Sequence, residues 1–353
     1  MKHRDIARYR RQIMLIGQPK QQALIDAHIA VIGAGGLGSP ALLYLGGAGI
    51  GRITIIDDDS VDLSNLHRQV IHTTASIGSP KAESARDAML ALNPSLDVRF
   101  FTEPLTWSNA QTLLSDADLV LDGSDNFDTR HITSWAAAHL GIPHIWASIL
   151  GFDAQLSVFH AGHGPIYEDL FPTPPPPGSV PSCSQAGVLG PVVGVIGSAM
   201  AMEALKIITG IGSPLIGTLG YYSSLDGTWE YIPIVGSPSV LADVLSRTPP
   251  PISPASAEVL DVPRATTIPA GSTLIDVREP AEFHSYSIPN ATNVPLSTIR
   301  SGTVPSAVAA GSPTLIYCAS GTRSAQAIAI LEDSGYTNMT SLDGGIEAWL
   351  DGS

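Results

Sequence analysis

The sequence predicts an α/β protein built as a doubly wound, mostly parallel sheet followed by a second, smaller α/β domain. Strand patterns and helical patterns alternate through the first half of the chain, which is typical of parallel strands joined by helical crossovers. The length of 353 residues exceeds what one ordinary core accommodates. A stretch rich in proline and serine also precedes a new series of short elements, which indicates a domain boundary.

The alternating elements can be placed along the first half of the chain. The predicted strands are runs of aliphatic residues bounded by turn residues, and they cover 28–33, 52–57 and 118–126. The predicted helices have apolar residues at helical spacing, and they cover 37–48 and 80–94. Because parallel strands of such a sheet end at one edge, we expect the ligand beyond their carboxyl ends.

Two proline-rich segments divide the chain. The stretch 160–187 has no clear periodicity and predicts a long irregular crossover, a kind of loop that in compact domains is usually functional or disordered. The stretch 237–252 predicts a linker. We therefore expect a first domain over 1–236 and a second domain over 253–353.

The charge balance excludes several classes of partner. The chain has 18 Lys and Arg residues against 32 Asp and Glu residues, a formal net charge of -14. This charge repels nucleic-acid phosphates and anionic lipid headgroups, so we expect neither nucleic-acid nor membrane binding. The apolar segment 188–210 contains Pro191, Glu203 and Lys206, and it predicts a buried helix rather than a membrane span.

The chain has two cysteines, Cys183 and Cys318. Two thiols cannot form a disulfide framework, and they cannot complete a four-thiolate zinc site from one chain. The N-terminal segment MKHRDIARYRRQIML lacks the apolar run and the cleavage site of a signal peptide. We therefore expect a cytoplasmic enzyme.

A glycine-rich turn follows the first predicted strand. In GAGGLG, Gly33, Gly35 and Gly38 have the G-x-G-x-x-G spacing, Gly36 lies between them, and Asp57 ends the next predicted strand. Glycines there let backbone N–H groups and a helix N-terminus approach phosphates, and the carboxylate can accept ribose hydroxyls. The pattern predicts a Rossmann-like nucleotide site, and taken alone it suits NAD as well as ATP.

The motifs that follow the turn differ from those of a dehydrogenase. The segments DDDSVDLSNLHRQVIH, GSPKAESA and DGSDNFDTR supply further candidate nucleotide-binding residues, which are Asp59, Asn65, Arg68, Lys81, Asp125 and Asn126. Together with RYRRQIML near the N-terminus, these segments resemble the family that includes MoeB, ThiF and the ubiquitin-activating enzymes. The resemblance covers about residues 5–235.

The resemblance implies an adenylation domain that uses ATP and Mg²⁺. Joining a carboxylate to AMP brings two anions together, so positive groups and a metal must neutralise charge at the α-phosphate. Arg68 and Lys81 are the candidate cations, and Asp125 matches the family's acidic group near Mg²⁺ and the attacking carboxylate. Arg11 matches an arginine that reaches into the partner's nucleotide site, which implies a homodimer. The alternative for each charged residue is a surface ion pair.

The C-terminal motifs STLIDVREPAEF, SIPNATNVPL, LIYCASGTRSAQAI and LDGGIEAWL resemble a rhodanese domain. The loop from Cys318 to Arg323 follows a strand and leads into a helix. Such a loop can direct backbone N–H groups at the sulfur, lower the thiol pKa and stabilise a persulfide anion, with Arg323 adding positive charge at the rim. Tyr286-Ser287 replaces the usual Gly-His, and Asn290 replaces a usual glycine.

This loop has two other interpretations, a phosphatase loop and an inert thiol. Cysteine phosphatases have five residues between the Cys and the Arg, whereas this chain has four, which suits sulfur better than a phosphate group. The remaining alternative for Cys318 is an inert buried thiol.

Fusion of the two domains implies two consecutive reactions. The first domain would adenylate the C-terminal glycine carboxylate of a ubiquitin-like sulfur carrier ending in Gly-Gly, and a Cys318 persulfide would then displace AMP to give a thiocarboxylate. A cysteine desulfurase or another donor would charge Cys318. The resemblance implies that Cys183 holds the acyl group or releases it, and an idle thiol is the alternative.

The carrier and its pathway stay open, since molybdopterin, thiamine, cysteine and other routes all use such sulfur. Adenylation of a peptide or natural-product carboxylate is the alternative function, although it needs no persulfide. A non-catalytic scaffold that recruits a carrier is the alternative from another class. The motifs of an intact nucleotide site and sulfur loop argue against it.

The resemblance fails at one structural feature. Relatives often carry two CxxC pairs that bind a structural zinc ion, but this chain has Ile166 and Asp169 at the first pair of positions and no second pair. We therefore predict an adenylation domain without zinc, held together at that corner by packing.

Overall fold

Two sheets organise the chain, one in each of two units that cover residues 1–252 and 253–353. The computed structural model describes residues 3–174, 187–248 and 262–351. The predicted fold class is confirmed, because a large, mostly parallel sheet is followed by a second, smaller parallel sheet.

The elements of the first unit alternate as the sequence predicts. Its strands are β1 (His28–Ile32), β2 (Arg52–Ile56), β3 (Asp97–Phe101), β4 (Leu119–Asp122), β5 (His144–Leu150), β6 (Asp153–Phe159), β7 (Thr218–Ser223) and β8 (Thr228–Pro233). Its helices are α1 (His3–Ile16), α2 (Gln18–Asp26), α3 (Gly38–Ala48), α4 (Lys81–Leu92), α5 (Ala110–Leu114), α6 (Phe127–Leu140), α7 (Tyr167–Leu170), α8 (Gly190–Thr209) and α9 (Pro238–Ser246). Short 3-10 helices at Leu63–Asn65 and Thr74–Ser76 lie between β2 and α4.

The strand order of the first sheet is β3-β2-β1-β4-β5-β6-β7-β8. Strands β3, β2, β1, β4 and β5 are parallel to one another, whereas β6, β7 and β8 extend the sheet from β5 by antiparallel pairing. The chain builds β1, β2 and β3 outward in one direction and then crosses to β4 on the other side of β1. This reversal makes the edge beyond β1 and β4 the topological switch point, where a doubly wound sheet binds its ligand.

Both faces of the parallel strands are covered. In β1, Ile29 and Val31 pack into a core that includes α3, α4 and α8, while Ala30 and Ile32 face a second core formed with α5, α6 and α9. All four of these side chains are at most 3% exposed. Burial on both faces explains why the strand reads as a continuous apolar run rather than an alternating one.

Helix α8 passes a test of length and apolar composition for a membrane span, and it is the one helix of the described residues that does. Half of the residues in its most apolar stretch are buried inside the fold. Val193, Ile196 and Met200 contribute to the main core, and a Cβ on Gly197 would lie 2.3 Å from the carbonyl oxygen of Leu37. The predicted buried helix is therefore a central packing element of the first unit.

The stretch predicted as a linker contains a helix. Helix α9 begins with Pro238 in its first turn, and its Val244 is fully buried in the core that α6 contributes to. The indole Nε1 of Trp135 also donates a hydrogen bond to Arg247 O at 3.2 Å. The prediction of a linker was wrong over 238–246. The proline and serine content of this stretch indicates a linker, but its apolar residues pack against α6.

The second unit has a five-stranded sheet with the order β11-β10-β12-β13-β9, and every neighbouring pair is parallel. Its strands are β9 (Arg264–Ala265), β10 (Thr273–Asp276), β11 (Thr292–Asn293), β12 (Thr314–Tyr317) and β13 (Met339–Leu342). Its helices are α10 (Pro280–Ser285), α11 (Leu296–Arg300), α12 (Ser306–Ala309), α13 (Thr322–Asp333) and α14 (Gly345–Asp351). Apolar clusters cover both faces of this sheet.

Asn290, which stands where rhodanese domains usually have glycine, lies in a left-handed turn with φ 66°. Asparagine is one of the few residues with a side chain that enter this region at low cost. The substitution therefore preserves the turn before β11.

Asp169 holds the corner where relatives carry a zinc-binding cysteine pair. Its Oδ2 accepts a hydrogen bond from Ile166 N–H at 2.8 Å, and its Oδ1 accepts one from Ser237 N–H at 2.9 Å. Ile166 itself is 3% exposed and packs into the core beside α6. One carboxylate thus joins the turn at α7 to the segment before α9. Among the described residues, no group of three or more His, Cys, Asp or Glu side chains could hold a metal ion.

We expect Asp169→Ala to lower the free energy of unfolding by about 1–3 kcal/mol, because it leaves two backbone donors without an acceptor. Urea denaturation followed by circular dichroism measures the loss. Asp243→Ala is the matched control, since it removes an exposed ion pair with Arg247 that contributes at most about 1 kcal/mol. Equal stability of Asp169→Ala and wild type would contradict this assignment, as would a fall in wild-type stability on treatment with a zinc chelator.

Candidate functional site

A cavity of about 350 Å³ opens at the switch point, beyond the carboxyl ends of β1 and β4. Its lining includes most of the predicted nucleotide-binding residues, which are Gly33, Gly35, Gly36, Asp57, Asp59, Arg68, Lys81, Asp125 and Asn126. Segments that are far apart in the sequence therefore meet at one site.

The glycine turn is held by close backbone approach. Gly33 has φ 86°, and a Cβ on Gly38 would lie 1.9 Å from the carbonyl oxygen of Gly33. Gly123 N–H donates to Ile32 O at 2.8 Å, which draws the turn after β4 against the turn after β1. Gly38 therefore shapes the turn without lining the cavity, whereas Gly35 and Gly36 expose backbone to it.

Asp57 is fixed by two backbone donors. Its Oδ2 accepts from Ala34 N–H at 2.7 Å, and its Oδ1 accepts from Asp59 N–H at 2.9 Å. Burial raises the pKa of Asp57, and the two hydrogen bonds oppose that rise. The carboxylate is thereby oriented toward the cavity as an acceptor, which is what a ribose hydroxyl requires.

Lys81 carries the first cation of the cavity. It is 7% exposed, and its Nζ lies 2.8 Å from Oδ2 of Asp59, whose side chain is 71% exposed. Its backbone N–H also donates to Asp59 O at 2.8 Å. Lys81 therefore begins α4 with its ammonium held at the cavity wall by an exposed carboxylate.

Arg68 supplies the second cation, which the fold leaves partly exposed. Its Nη1 donates to Ser64 O at 3.0 Å and contacts Nε2 of His67 at 2.7 Å. Neither partner is a carboxylate, so the positive charge stays available to an anion in the cavity.

Asp125 and Asn126 lie at the cavity mouth, where α6 begins. Asn126 caps α6, because its Oδ1 accepts from Thr129 N–H at 2.8 Å. Asp125 is exposed, and in the described part of the chain its carboxylate has no hydrogen bond or ion pair. Mg²⁺ is usually held by one or two carboxylates together with substrate phosphates. A free carboxylate in a cavity lined by cations fits that arrangement, although the fold supplies no complete metal cage among the described residues.

Two predicted nucleotide-site residues lie elsewhere. Asn65 is not part of the cavity lining, and its Oδ1 accepts from Asp62 N–H at 3.1 Å in the cap of a 3-10 helix. Arg11 lies exposed on α1, also outside the lining. Within one chain, the structure does not bring Arg11 to the cavity.

Arg130 also lines the cavity, although it is not among the site residues that the sequence predicts. It is 6% exposed, and its Nη2 donates to Ser124 O at 3.1 Å and contacts Ser148 Oγ at 3.4 Å. The available signal was its place in DGSDNFDTR, one helical turn after Asn126, which puts both residues on the same side of α6.

A buried acid supports the turn that carries these residues. Asp122 Oδ1 accepts from Ser124 N–H at 2.9 Å, and its Oδ2 lies 3.2 Å from Nε2 of His144. Burial opposes ionisation of Asp122, but the hydrogen bonds from His144 and Ser124 outweigh it and lower the pKa of this carboxyl. The ionised carboxylate therefore anchors the turn after β4.

Cys318 ends β12 in the second unit and is 1% exposed. Gly321 N–H donates to its Sγ at 3.1 Å, and Ser324 Oγ lies 3.7 Å from the sulfur. The carbonyl oxygens of Cys318 and Ala319 accept from N–H groups of α14 at 2.9 and 3.2 Å. The loop is thus fixed from both sides, and one amide reaches the sulfur where the sequence suggested several.

Arg323 is not a free cation at the rim of this loop. Its two terminal nitrogens donate to the two carboxylate oxygens of Glu282, each at 2.7 Å. The hydrogen bonds that Arg323 donates to Glu282 raise the pKa of Arg323. Burial disfavours ionisation of Glu282, yet the bonds from Arg323 prevail and lower its pKa. The positive charge predicted at the rim is therefore paired with Glu282. The loop motif does not reveal this partner, because Glu282 lies on a helix 41 residues earlier in the chain.

Cys183 lies outside the described residues. The crossover re-enters the described fold just before Val188, which lines the cavity and pairs with Gly151. Val188, five residues after Cys183 in the sequence, is therefore part of the cavity lining.

Two protein families match the sequence. Residues 9–240 match the ThiF family, and residues 263–351 match the rhodanese-like domain. The matched ranges contain the nucleotide cavity and the Cys318 loop respectively.

Among three curated relatives, two match over nearly the whole chain, and the third matches over about two thirds of it. The Mycobacterium tuberculosis protein described as "Probable adenylyltransferase/sulfurtransferase MoeZ" is 41% identical over 98% of this chain and 93% of its own length. The maize "Adenylyltransferase and sulfurtransferase MOCS3-1" is 36% identical over 98% of this chain and 81% of its own length. The Thermus thermophilus "Sulfur carrier protein adenylyltransferase" is 46% identical over 66% of this chain and 89% of its own length.

Solved structures share the fold of the first unit at lower identity. A crystal structure of E. coli MccB with ATP has a TM-score of 0.60 and 21% identity, covering 67% of this chain and 74% of that chain. A structure of PaaA has a TM-score of 0.59 and 24% identity, covering 67% of this chain and 76% of that chain. By its full-length relatives and its matched domains, the chain belongs to the ThiF family and carries a rhodanese-like domain in the same polypeptide.

Proposed function

We propose that the chain adenylates the C-terminal glycine carboxylate of a ubiquitin-like sulfur carrier protein and then replaces AMP with sulfur held on Cys318. The observation that carries the proposal is the pairing of two sites in one polypeptide. One is a cavity with oriented acceptors and two cations, and the other is a buried thiol on an amide-bonded loop. The names of the relatives support a sulfur carrier over a peptide or natural-product substrate.

The adenylation step needs positive charge more than acid–base chemistry. A carboxylate oxygen of the carrier forms a bond to the α-phosphorus of ATP, and the bond from that phosphorus to the bridging oxygen breaks, so that pyrophosphate leaves. No proton moves. Lys81 and Arg68 reduce the repulsion between the anions, and Asp57 with the glycine turn fixes the nucleotide.

Mg²⁺ is the cofactor that suits this cavity, and Asp125 is the side chain that would hold it together with the phosphates. When bound, the ion would neutralise charge on the phosphates and on the departing pyrophosphate. Asp125 is suited to this role because nothing else in the described chain occupies its carboxylate.

The sulfur step uses the terminal sulfur of a Cys318 persulfide as the nucleophile. It forms a bond to the acyl carbon, the bond from that carbon to the phosphate oxygen breaks, and AMP leaves. Attack of a thiol on the Cys318 sulfur then breaks the S–S bond and releases the carrier as a thiocarboxylate. If that thiol is Cys183, the product is a Cys183–Cys318 disulfide, which a low-molecular-weight or protein dithiol must reduce.

The remaining parts of the proposal concern partners and location. We propose a homodimer in which Arg11 of one protomer completes the nucleotide site of the other, since Arg11 is exposed on α1 and away from its own cavity. We also propose a cysteine desulfurase or another persulfide donor as the source of sulfur, and a cytoplasmic location. The net charge of -14 supports a protein that avoids anionic polymers and surfaces.

Lys81→Met should reduce carrier-dependent ATP–pyrophosphate exchange by about 100-fold or more, because a buried cation beside the phosphates is lost. Lys20→Met, on α2 and outside the cavity lining, is the matched control and should exchange like wild type. Unchanged exchange in Lys81→Met would remove this lysine from the proposed site.

Cys318→Ala should retain ATP–pyrophosphate exchange but abolish thiocarboxylate formation from a protein-bound persulfide. Intact mass of the carrier measures this, because replacing one oxygen by sulfur adds about 16 mass units. Cys183→Ser is the companion variant, and loss of multiple turnovers with retention of a single turnover would assign it to release of the acyl group. If the carrier gains the same mass with Cys318→Ala as with wild type, Cys318 does not deliver the sulfur.

Arg11→Ala and Lys81→Met should each be inactive alone but should recover exchange when mixed. If Arg11 acts across a dimer, each mixed dimer has one complete site, so random exchange of subunits restores about a quarter of wild-type activity. Exchange activity after co-incubation measures the recovery. Mixed dimers that form without any recovery would show that Arg11 does not complete the partner's site.

A further inference from the structure

Arg130 is a buried cation without an acidic partner. Its side chain is 6% exposed, and it forms no salt bridge with a carboxylate of residues 3–174, 187–248 or 262–351. Its Nε is fully buried and has no hydrogen-bond partner. An unpaired buried charge is costly, so such a group is retained where an anion arrives to pair with it.

Two buried acidic groups of the first unit, Asp122 and Glu168, are already engaged. Asp122 is bonded to His144 and to Ser124 N–H, and Glu168 is bonded to His131 and Ser134. Tyr167 interacts with Arg130 as a neutral phenol and supplies no negative charge, because burial raises its pKa to about 12. Asp125, whose carboxylate is free, lines the same cavity but forms no ion pair with this guanidinium in the described part of the chain.

The guanidinium is held in one orientation. Its carbon lies 5.1 Å from the ring centre of Phe127 and 5.8 Å from that of Trp146. Its Nη2 is fixed by Ser124 O at 3.1 Å and lies 3.4 Å from Ser148 Oγ. Rigid placement of a planar fork of donors suits a carboxylate, which accepts two parallel hydrogen bonds.

The position of Arg130 in the cavity separates it from the nucleotide cations. Arg68 and Lys81 follow β2, whereas Arg130 follows β4 and contacts Ser148 of β5. Strands β1 and β4 lie between β2 and β5 in the sheet. Arg130 thus belongs to the β4 and β5 side of the cavity lining, whereas Asp57 follows β2.

We propose that Arg130 binds the carboxylate that is adenylated, namely the C-terminal carboxylate of the carrier's last glycine. The inference rests on the proposed function and adds a substrate-binding residue to it. Arg130 holds the carboxylate so that one oxygen faces the α-phosphorus, and the same guanidinium stays beside the acyl oxygen after the new bond forms. The charge of Arg130 is thereby paired only when the carrier carboxylate is bound, and binding of ATP alone leaves it unpaired.

The test compares two forms of the carrier, one ending in the native carboxylate and one ending in a carboxamide. Calorimetry measures the binding of each to the full chain in the presence of an ATP analogue with a methylene group between the α- and β-phosphorus atoms. Wild type should prefer the carboxylate form by about 10- to 100-fold, the range expected for a hydrogen-bonded charge pair. Arg130→Gln should bind both forms equally, while its affinity for AMP stays within about twofold of wild type.

Three further variants separate a binding role from a structural one. Arg99→Gln, exposed on β3, is the matched control and should keep the preference. Arg130→Lys keeps the charge but loses the fork, and should keep a reduced preference if Arg130→Gln fails to fold. Ser148→Ala removes a polar contact of Nη2 and should lower the preference by about threefold.

The outcomes are distinguishable. If wild type catalyses no ATP–pyrophosphate exchange with any carrier ending in Gly-Gly, the proposed function fails. If exchange occurs but folded Arg130→Gln keeps the carboxylate preference, only the role of Arg130 fails. A loss of AMP affinity with equal weakening of both carrier forms would assign Arg130 to the nucleotide phosphate and overturn the inference.

Discussion

The close approach of the turns after β1 and β4 is the constraint on which the first unit depends. Gly123 N–H bonds to Ile32 O, and a side chain on Gly38 would collide with the carbonyl of Gly33. Without that approach, the residues that follow β4 could not share a cavity with the glycine turn that follows β1. The buried carboxylate of Asp122 also holds the turn after β4, because it accepts a hydrogen bond from Ser124 N–H, and this turn leads to Asp125 and Arg130.

The charges around the cavity fall into two groups. Structural carboxylates are paired, as Asp122 is with His144 and Glu168 is with His131. The groups that face the ligand are either free, as Asp125 is, or paired with an exposed partner, as Lys81 is with Asp59. This division places unpaired charge at the cavity, where incoming phosphate, carboxylate and metal can complete it. Arg130 is the most buried member of the second group and therefore the one with the largest electrostatic need for a ligand.

In the second unit, the loop around the Cys318 thiol is held by hydrogen bonds rather than by an unpaired cation. Helix α14 bonds to the loop carbonyls, Gly321 N–H bonds to the sulfur, and Glu282 neutralises Arg323. In the first unit, the Asp169 carboxylate joins the turn at α7 to the segment before α9 through two hydrogen bonds. In both places hydrogen bonds from backbone N–H groups fix the geometry, to the sulfur of Cys318 in the loop and to the carboxylate of Asp169 at the corner.

The sequence by itself determined the fold class and the alternation of strands and helices, because those depend on local periodicity, and most of the residues that it predicts for a nucleotide site line one cavity. It also identified the Cys318 loop, whose chemistry lies within six consecutive residues. Only the tertiary structure decided that β6 to β8 pair antiparallel, that α9 packs on α6 and that Glu282 meets Arg323. Only the fold, likewise, leaves Arg130 buried without an acid. Each of these depends on contacts between segments far apart in the chain, and a local pattern does not record which distant partner a side chain will meet.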